Sequence, residues 1–120
     1  MEESSIPQIV LIDEEGEHRG VQGSYSWNGI SVDYVMPSSR KDIQEKLSIR
    51  QDTTISFRVI GHIRSEKLHV TLFSGMNIIL HEAIETEMKV QVPKGTYHLN
   101  IMATWEGQGD VSNVFLIEVV

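Results

Sequence analysis

Five histidines (His18, His62, His69, His81 and His98) and seventeen carboxylates are the side chains of this 120-residue chain that could hold a metal or move protons. No two of the histidines share the i, i+4 spacing that puts zinc ligands on one face of a helix. His69 alternates with Leu68 and Val70, and His98 with Tyr97 and Leu99, so both should point away from a core; His62 and His81 fall near strand ends. They read as separate exposed histidines with no metal site, although ligands gathered from different strands would leave no spacing signal. The chain has no cysteine, which excludes disulfides, thiol catalysis and thiolate metal sites. Serine, histidine and aspartate are present without a Gly-x-Ser-x-Gly elbow, and Gly107-Gln108-Gly109 lies between two strands and opens no phosphate-binding helix. No catalytic, cofactor-binding or metal-binding residue is assigned, and the chain reads as a non-enzyme.

The side chains suited to holding a partner are fewer. Tyr25, Trp27, Tyr97 and Trp105 fit a core, and Tyr97, at the start of a strand, suits a hydroxyl bonded back to the backbone. An exposed Trp27 or Tyr34 would instead anchor a partner, because large aromatics dominate interface energetics. Two loops are candidates for presentation, Arg64-Ser65-Glu66 and Glu106 to Ser112. The candidate partner-binding residues are therefore Trp27, Tyr34, Arg64, Gln108 and Asp110.

Strands must position these residues. Tyr97-Leu99-Ile101-Ala103-Trp105 places an apolar residue at every second position, and Val114 to Val120 follows the Glu106–Asp110 loop, which predicts a terminal hairpin. Asn28-Gly29 suits a two-residue type I′ turn, whose central positions both need positive φ. That turn sets Trp27 opposite Ile30, Ser26 opposite Ser31 and Tyr25 opposite Val32. One face then carries Tyr25, Trp27, Ile30 and Val32, and the other Ser24, Ser26, Ser31 and Asp33. Further strands are predicted at Gln8–Ile12, Thr53–Ile60, Lys67–Phe73, Asn77–Leu80 and Glu87–Val92. Ser39 with Asp42 three residues later predicts a helical turn over Asp42–Leu47. About eight short antiparallel strands at this spacing predict an all-β, immunoglobulin-like sandwich. Residues 8–120 form its single domain, after a flexible segment at 1–7.

Composition sets the outer bounds. A net charge of −7, with acid spread along the chain, opposes nucleic acid, which needs clustered Lys and Arg. Asp13-Glu14-Glu15 around Gly16 reads as a solvated turn, because calcium would need a longer oxygen-rich loop. No apolar run is long enough for a helix to span a bilayer, and no signal-peptide pattern is visible. Met1 to Ser5 resembles the spacer left after a leader or lipid anchor is removed, and a trimmed chain would look the same.

Gly23-Ser24-Tyr25-Ser26-Trp27, followed by Val32-Asp33-Tyr34 and Pro37, is similar to a motif of small, uncharacterised immunoglobulin-like domains in secreted proteins and lipoproteins of Firmicutes (Bacillus type). Gly95-Thr96-Tyr97 through Trp105, with Phe115, also looks like the end of that domain. The resemblance implies an extracytoplasmic binding or interaction domain at the cell envelope, with a protein or envelope partner and no activity of its own. Ser26 and Ser31 stand where those relatives carry cysteines, and a non-hydrogen-bonded cross-strand pair has the Cα spacing a disulfide requires. A weaker resemblance, carried by Pro93-x-Gly95-Thr96-Tyr97, is to bacterial intracellular proteinase inhibitors. It implies the alternative of a cytoplasmic inhibitor presenting a loop to a protease cleft.

Overall fold

A computed structural model describes residues 6–62, 65 and 67–120. The described residues form two β-sheets and no α-helix. The smaller sheet contains β1 (Gln8–Asp13), β2 (Gly16–Arg19), β6 (Thr54–Ile60) and β9 (Glu87–Lys89), in the order β2-β1-β6-β9. The larger contains β3 (Val21–Trp27), β4 (Ile30–Val32), β5 (Lys46–Ile49), β7 (Lys67–Ser74), β8 (Asn77–Ile84), β10 (Gly95–Trp105) and β11 (Gly109–Val119). Its order is β4-β3-β11-β10-β7-β8, and β5 runs parallel to β11 in the one departure from antiparallel pairing.

Period-two alternation builds the core. Tyr97, Leu99, Ile101, Ala103 and Trp105 of β10 are all buried, as expected, and meet Ile9 and Leu11 of β1 and Ile55 and Phe57 of β6 in one cluster between the sheets. The Tyr97 hydroxyl donates to the Pro93 carbonyl at 2.6 Å, tying the start of β10 to the turn before it. Ordered packing begins before residue 8: Ile6 rests on the core and Pro7 is buried.

The Asn28-Gly29 hairpin has the predicted register, with φ of 52° and 85° at its two central residues. Ser31 Oγ lies 3.0 Å from Ser26 Oγ. The apolar face is less uniform than the pattern predicts. Trp27 is buried, yet Ile30 is 63% exposed, because β4 is the edge of a sheet wider than the one it faces. The Asp13–Gly16 segment is the exposed β1–β2 turn.

Two expectations need correction. The described residues hold eleven strands rather than about eight, the additional ones being short pieces such as β2 and β5. The helical turn over Asp42–Leu47 does not form. The only helical piece among the described residues is a 3₁₀ turn at Pro37–Ser39, and the chain extends into β5. Asp42 cannot act as the predicted cap partner because its carboxylate is held by Arg40. Leu47 and Ile49 join the core by the alternation of a strand.

A buried amide links the two sheets. Asn113 of β11 is 1% exposed; its Oδ1 accepts from the Ile9 N–H of the opposite sheet at 2.8 Å, and its Nδ2 donates to Val21 O at 3.4 Å. Asn113→Ala would strand a buried donor and a buried acceptor, and should destabilise the fold by about 1–3 kcal/mol in denaturant melts. A smaller loss than that of an exposed-site control would mean the bridge is not structural. Changing both Ser26 and Ser31 to Cys should give a disulfide on mild oxidation, stabilising by about 1–3 kcal/mol for so short a loop, less any strain. Free-thiol titration decides it, and two persistently reactive thiols in a folded protein would contradict this register.

Candidate functional site

Between β4 and β5 the segment 33–45 leaves the sheet edge and crosses the outer face of the larger sheet as a strap. Polar and apolar anchors hold it there. Tyr34 N–H donates to Ser24 Oγ at 2.9 Å. Arg40 donates through Nη1 to Gln22 O at 2.5 Å, and through Nε and Nη2 to the two carboxylate oxygens of Asp42 at 3.0 and 2.6 Å. Its side chain is only 5% exposed, and the guanidinium carbon stacks 4.3 Å from the Tyr34 ring centroid. Ile43 is buried outside the intersheet cluster and lines a small cavity with Val114 and Leu116.

Strap and sheet enclose a groove of about 320 Å³. Strand pairing dictates its floor. Ser31, Ser26 and Asp110 form one row across β4, β3 and β11, and Ser112 lies opposite Met102 of β10. Asn100 and Phe73 complete it, while Asp33, Tyr34, Val35, Met36 and Pro37 form the strap side. The register of β3 against β11 shifts between Val111 and Asn113, which brings Gly23 onto Ser112. A Cβ at Gly23 would crowd the Ser112 hydroxyl, which donates to Ser24 O at 2.6 Å. Gly109, at φ +134°, leaves no room for a Cβ against the Ser26 carbonyl oxygen. Neither Asp33 nor Asp110 makes a side-chain hydrogen bond or ion pair among the described residues.

Of the residues singled out from the sequence, Tyr34 and Asp110 meet in this groove. Trp27 is 4% exposed and packs edge-on against Trp105 and His62, with centroids at 5.0 and 5.2 Å, so it offers no surface to a partner. Gln108 lies at the same end of the sandwich, its side chain 2.9 Å from His62 Nε2 and its carbonyl accepting from Asn28 N. Gln108 N–H donates to Trp105 O at 3.1 Å, so this loop begins as a tight turn. Arg64, with Glu66 of the other candidate loop, lies outside the described residues.

The histidines are less separate than their spacing suggests. His69 and His81 stack on the outer face, with centroids 6.0 Å apart, and Thr71 Oγ1 lies 2.7 Å from His81 Nδ1. His18 pairs with Asp13 at 2.9 Å. His98 faces outward as predicted but is half-buried opposite Phe73 and Leu116, and burial lowers its pKa. No group of three or more potential metal ligands is found among the described residues. A wider cleft opens between β6 and the β7–β8 edge, but part of its rim adjoins residues outside the description.

The hairpin register had already placed Ser24, Ser26, Ser31 and Asp33 on one polar face. Asn100, Ser112 and Arg40 had no such signal, because they join the site only through the β3–β11 pairing and the crossing of the strap. No family model, curated protein or solved structure matches the chain.

The Arg40–Asp42 pair gives the strap a definite acid response. The hydrogen bond from Arg40 is the largest influence on Asp42 and holds its pKa below the usual 3.8. A lowered carboxylate pKa means the contribution of the pair is complete above the ordinary value and is lost as pH falls through the lowered one. An NMR titration of the Asp42 carboxyl carbon should therefore show a depressed midpoint that returns toward the ordinary value in Arg40→Met. An identical midpoint in both proteins would mean the pair does not form in solution.

Proposed function

We propose that this chain is a non-catalytic binding domain of the bacterial cell envelope, and that the groove beneath the strap is its ligand site. The observation that carries this reading is a cavity roofed by a strap that is pinned at Tyr34 and Arg40 and floored by side chains with unused hydrogen-bonding capacity. Small-molecule sites have this form, a largely preformed concavity with apolar walls and a few placed polar groups. A binding role is supported over catalysis because the groove hydroxyls bond to backbone or to one another, and none is paired with a histidine among the described residues.

We read the two-sheet architecture as an immunoglobulin-like sandwich, a view supported by the bond from Tyr97 Oη to Pro93 O. Support for an extracytoplasmic site of action comes from the similarity of Gly23–Trp27 and its flanks to Firmicute secreted and lipoprotein domains. The net charge of −7 supports a partner other than nucleic acid.

Co-sedimentation with purified envelope fragments of a Gram-positive bacterium tests the proposal. The protein should pellet with the fragments, and the double variant Tyr34→Ala/Asp110→Ala should stay in the supernatant while melting as the parent does. A parent protein that never pellets, or a variant that pellets equally well, would overturn the assignment of the groove.

A further inference from the structure

We infer that the groove takes a neutral, hydroxyl-rich ligand, a saccharide unit, an inference that rests on the binding-site reading above and adds the ligand's chemical class. Charge and hydrogen-bonding capacity decide between the alternatives. An anionic ligand would face the carboxylates of Asp33 and Asp110, and Arg40, the only cation lining the groove among the described residues, has its Nε, Nη1 and Nη2 engaged by Asp42 and Gln22. Such a ligand would lose its hydration without gaining a counter-charge, which opposes binding.

A cationic ligand would gain from the carboxylates but meets a different obstacle. The Tyr34 ring already has the Arg40 guanidinium 4.3 Å from its centroid, and a second cation on the other face would be repelled by the first. Tyr34 is 42% exposed and is held at its backbone by Ser24 and on one ring face by Arg40. The ring is a flat apolar platform held rigid before any ligand arrives, which reduces the ordering cost of binding.

A sugar ring matches what remains. Its C–H face can lie on Tyr34 and against Met102 and Phe73. Its hydroxyls can donate to Asp33 and Asp110 and accept from the Asn100 amide and from the Ser24 and Ser26 hydroxyls, since those of Ser31 and Ser112 already donate within the protein. The volume of about 320 Å³ stands at the lower end of the usual range for small-molecule sites, about 300–1,000 Å³, which suits one or two sugar units rather than a long chain.

The test is a titration of ¹⁵N-labelled protein with maltose, cellobiose, xylobiose and N,N′-diacetylchitobiose, beside 1,5-diaminopentane and hexanoate as cationic and anionic probes. At least one disaccharide should shift the amide signals of Tyr34, Asn100 and Asp110. Tyr34→Ala and Asp110→Ala should each weaken that binding by about tenfold or more, with melting temperatures confirming that the variants fold. Shifts at these amides from the diamine or from hexanoate, with none from any disaccharide, would overturn the ligand class and leave the groove assignment standing. Envelope co-sedimentation that depends on Tyr34 and Asp110, with every disaccharide silent, would do the same. Silence from all probes together with loss of co-sedimentation would overturn both.

Discussion

The arrangement of this molecule depends on the amide of Asn113. Hydrophobic attraction is non-directional, and close packing spreads the alignment of two sheets over many small contacts, so a buried hydrogen bond between them adds a directional constraint that the apolar core lacks. Asn113 supplies that constraint from the middle of β11, accepting from Ile9 on the facing sheet and donating to Val21 on the neighbouring strand. A buried amide is costly unless its partners are in place, so the correct alignment is separated in energy from its neighbours. The β3–β11 register shift lies beside this bond, and it sets Ser112 on the outer face against Gly23. The inner fastening and the floor of the groove are thus two sides of one strand segment.

The groove follows from the unequal width of the sheets. The smaller sheet has four strands and the larger seven, so part of the larger one extends past the core it helps to form. At that overhang Ile30 is left in solvent, and the strap folds over the outer face instead of returning directly to the core. Arg40 makes this stable. Its nearly full burial would be costly for an unpaired cation, but Asp42, Gln22 O and the Tyr34 ring all engage the guanidinium.

What could be read in the sequence divides along the same physical line. The Asn28–Gly29 hairpin was legible because turn chemistry and binary pattern act over neighbouring residues and agreed with each other. The alternating core of β10 was legible for the same reason, as was the Tyr97 hydroxyl bond. The region 39–47 misled, because Ser39 and Asp42 have capping spacing while Arg40, between them, competes for the same carboxylate. The stacked His69 and His81 were hidden by an irregularity between Leu72 and Phe73 that moves the β7–β8 pairing out of simple hairpin register. Of the groove, the polar hairpin face, Tyr34 and Asp110 could be found in advance. Asn100 and Ser112 could not, since only the long-range pairing of β10, β11 and β3 gathers them.

The position of β11 has a mechanical consequence. The strand is paired with β10 from end to end on one side, and on the other with β3 along its first half and with β5 in parallel along its second. Val120 beyond it is hydrogen-bonded to Ile49 and Gln51. Force applied at that end and directed along the strand loads these ladders in shear, so many bonds must yield together rather than one after another from an exposed edge. Resistance to forced unfolding is set by the height of that barrier and not by equilibrium stability. The domain is therefore built to withstand tension entering through β11 better than its modest size would suggest.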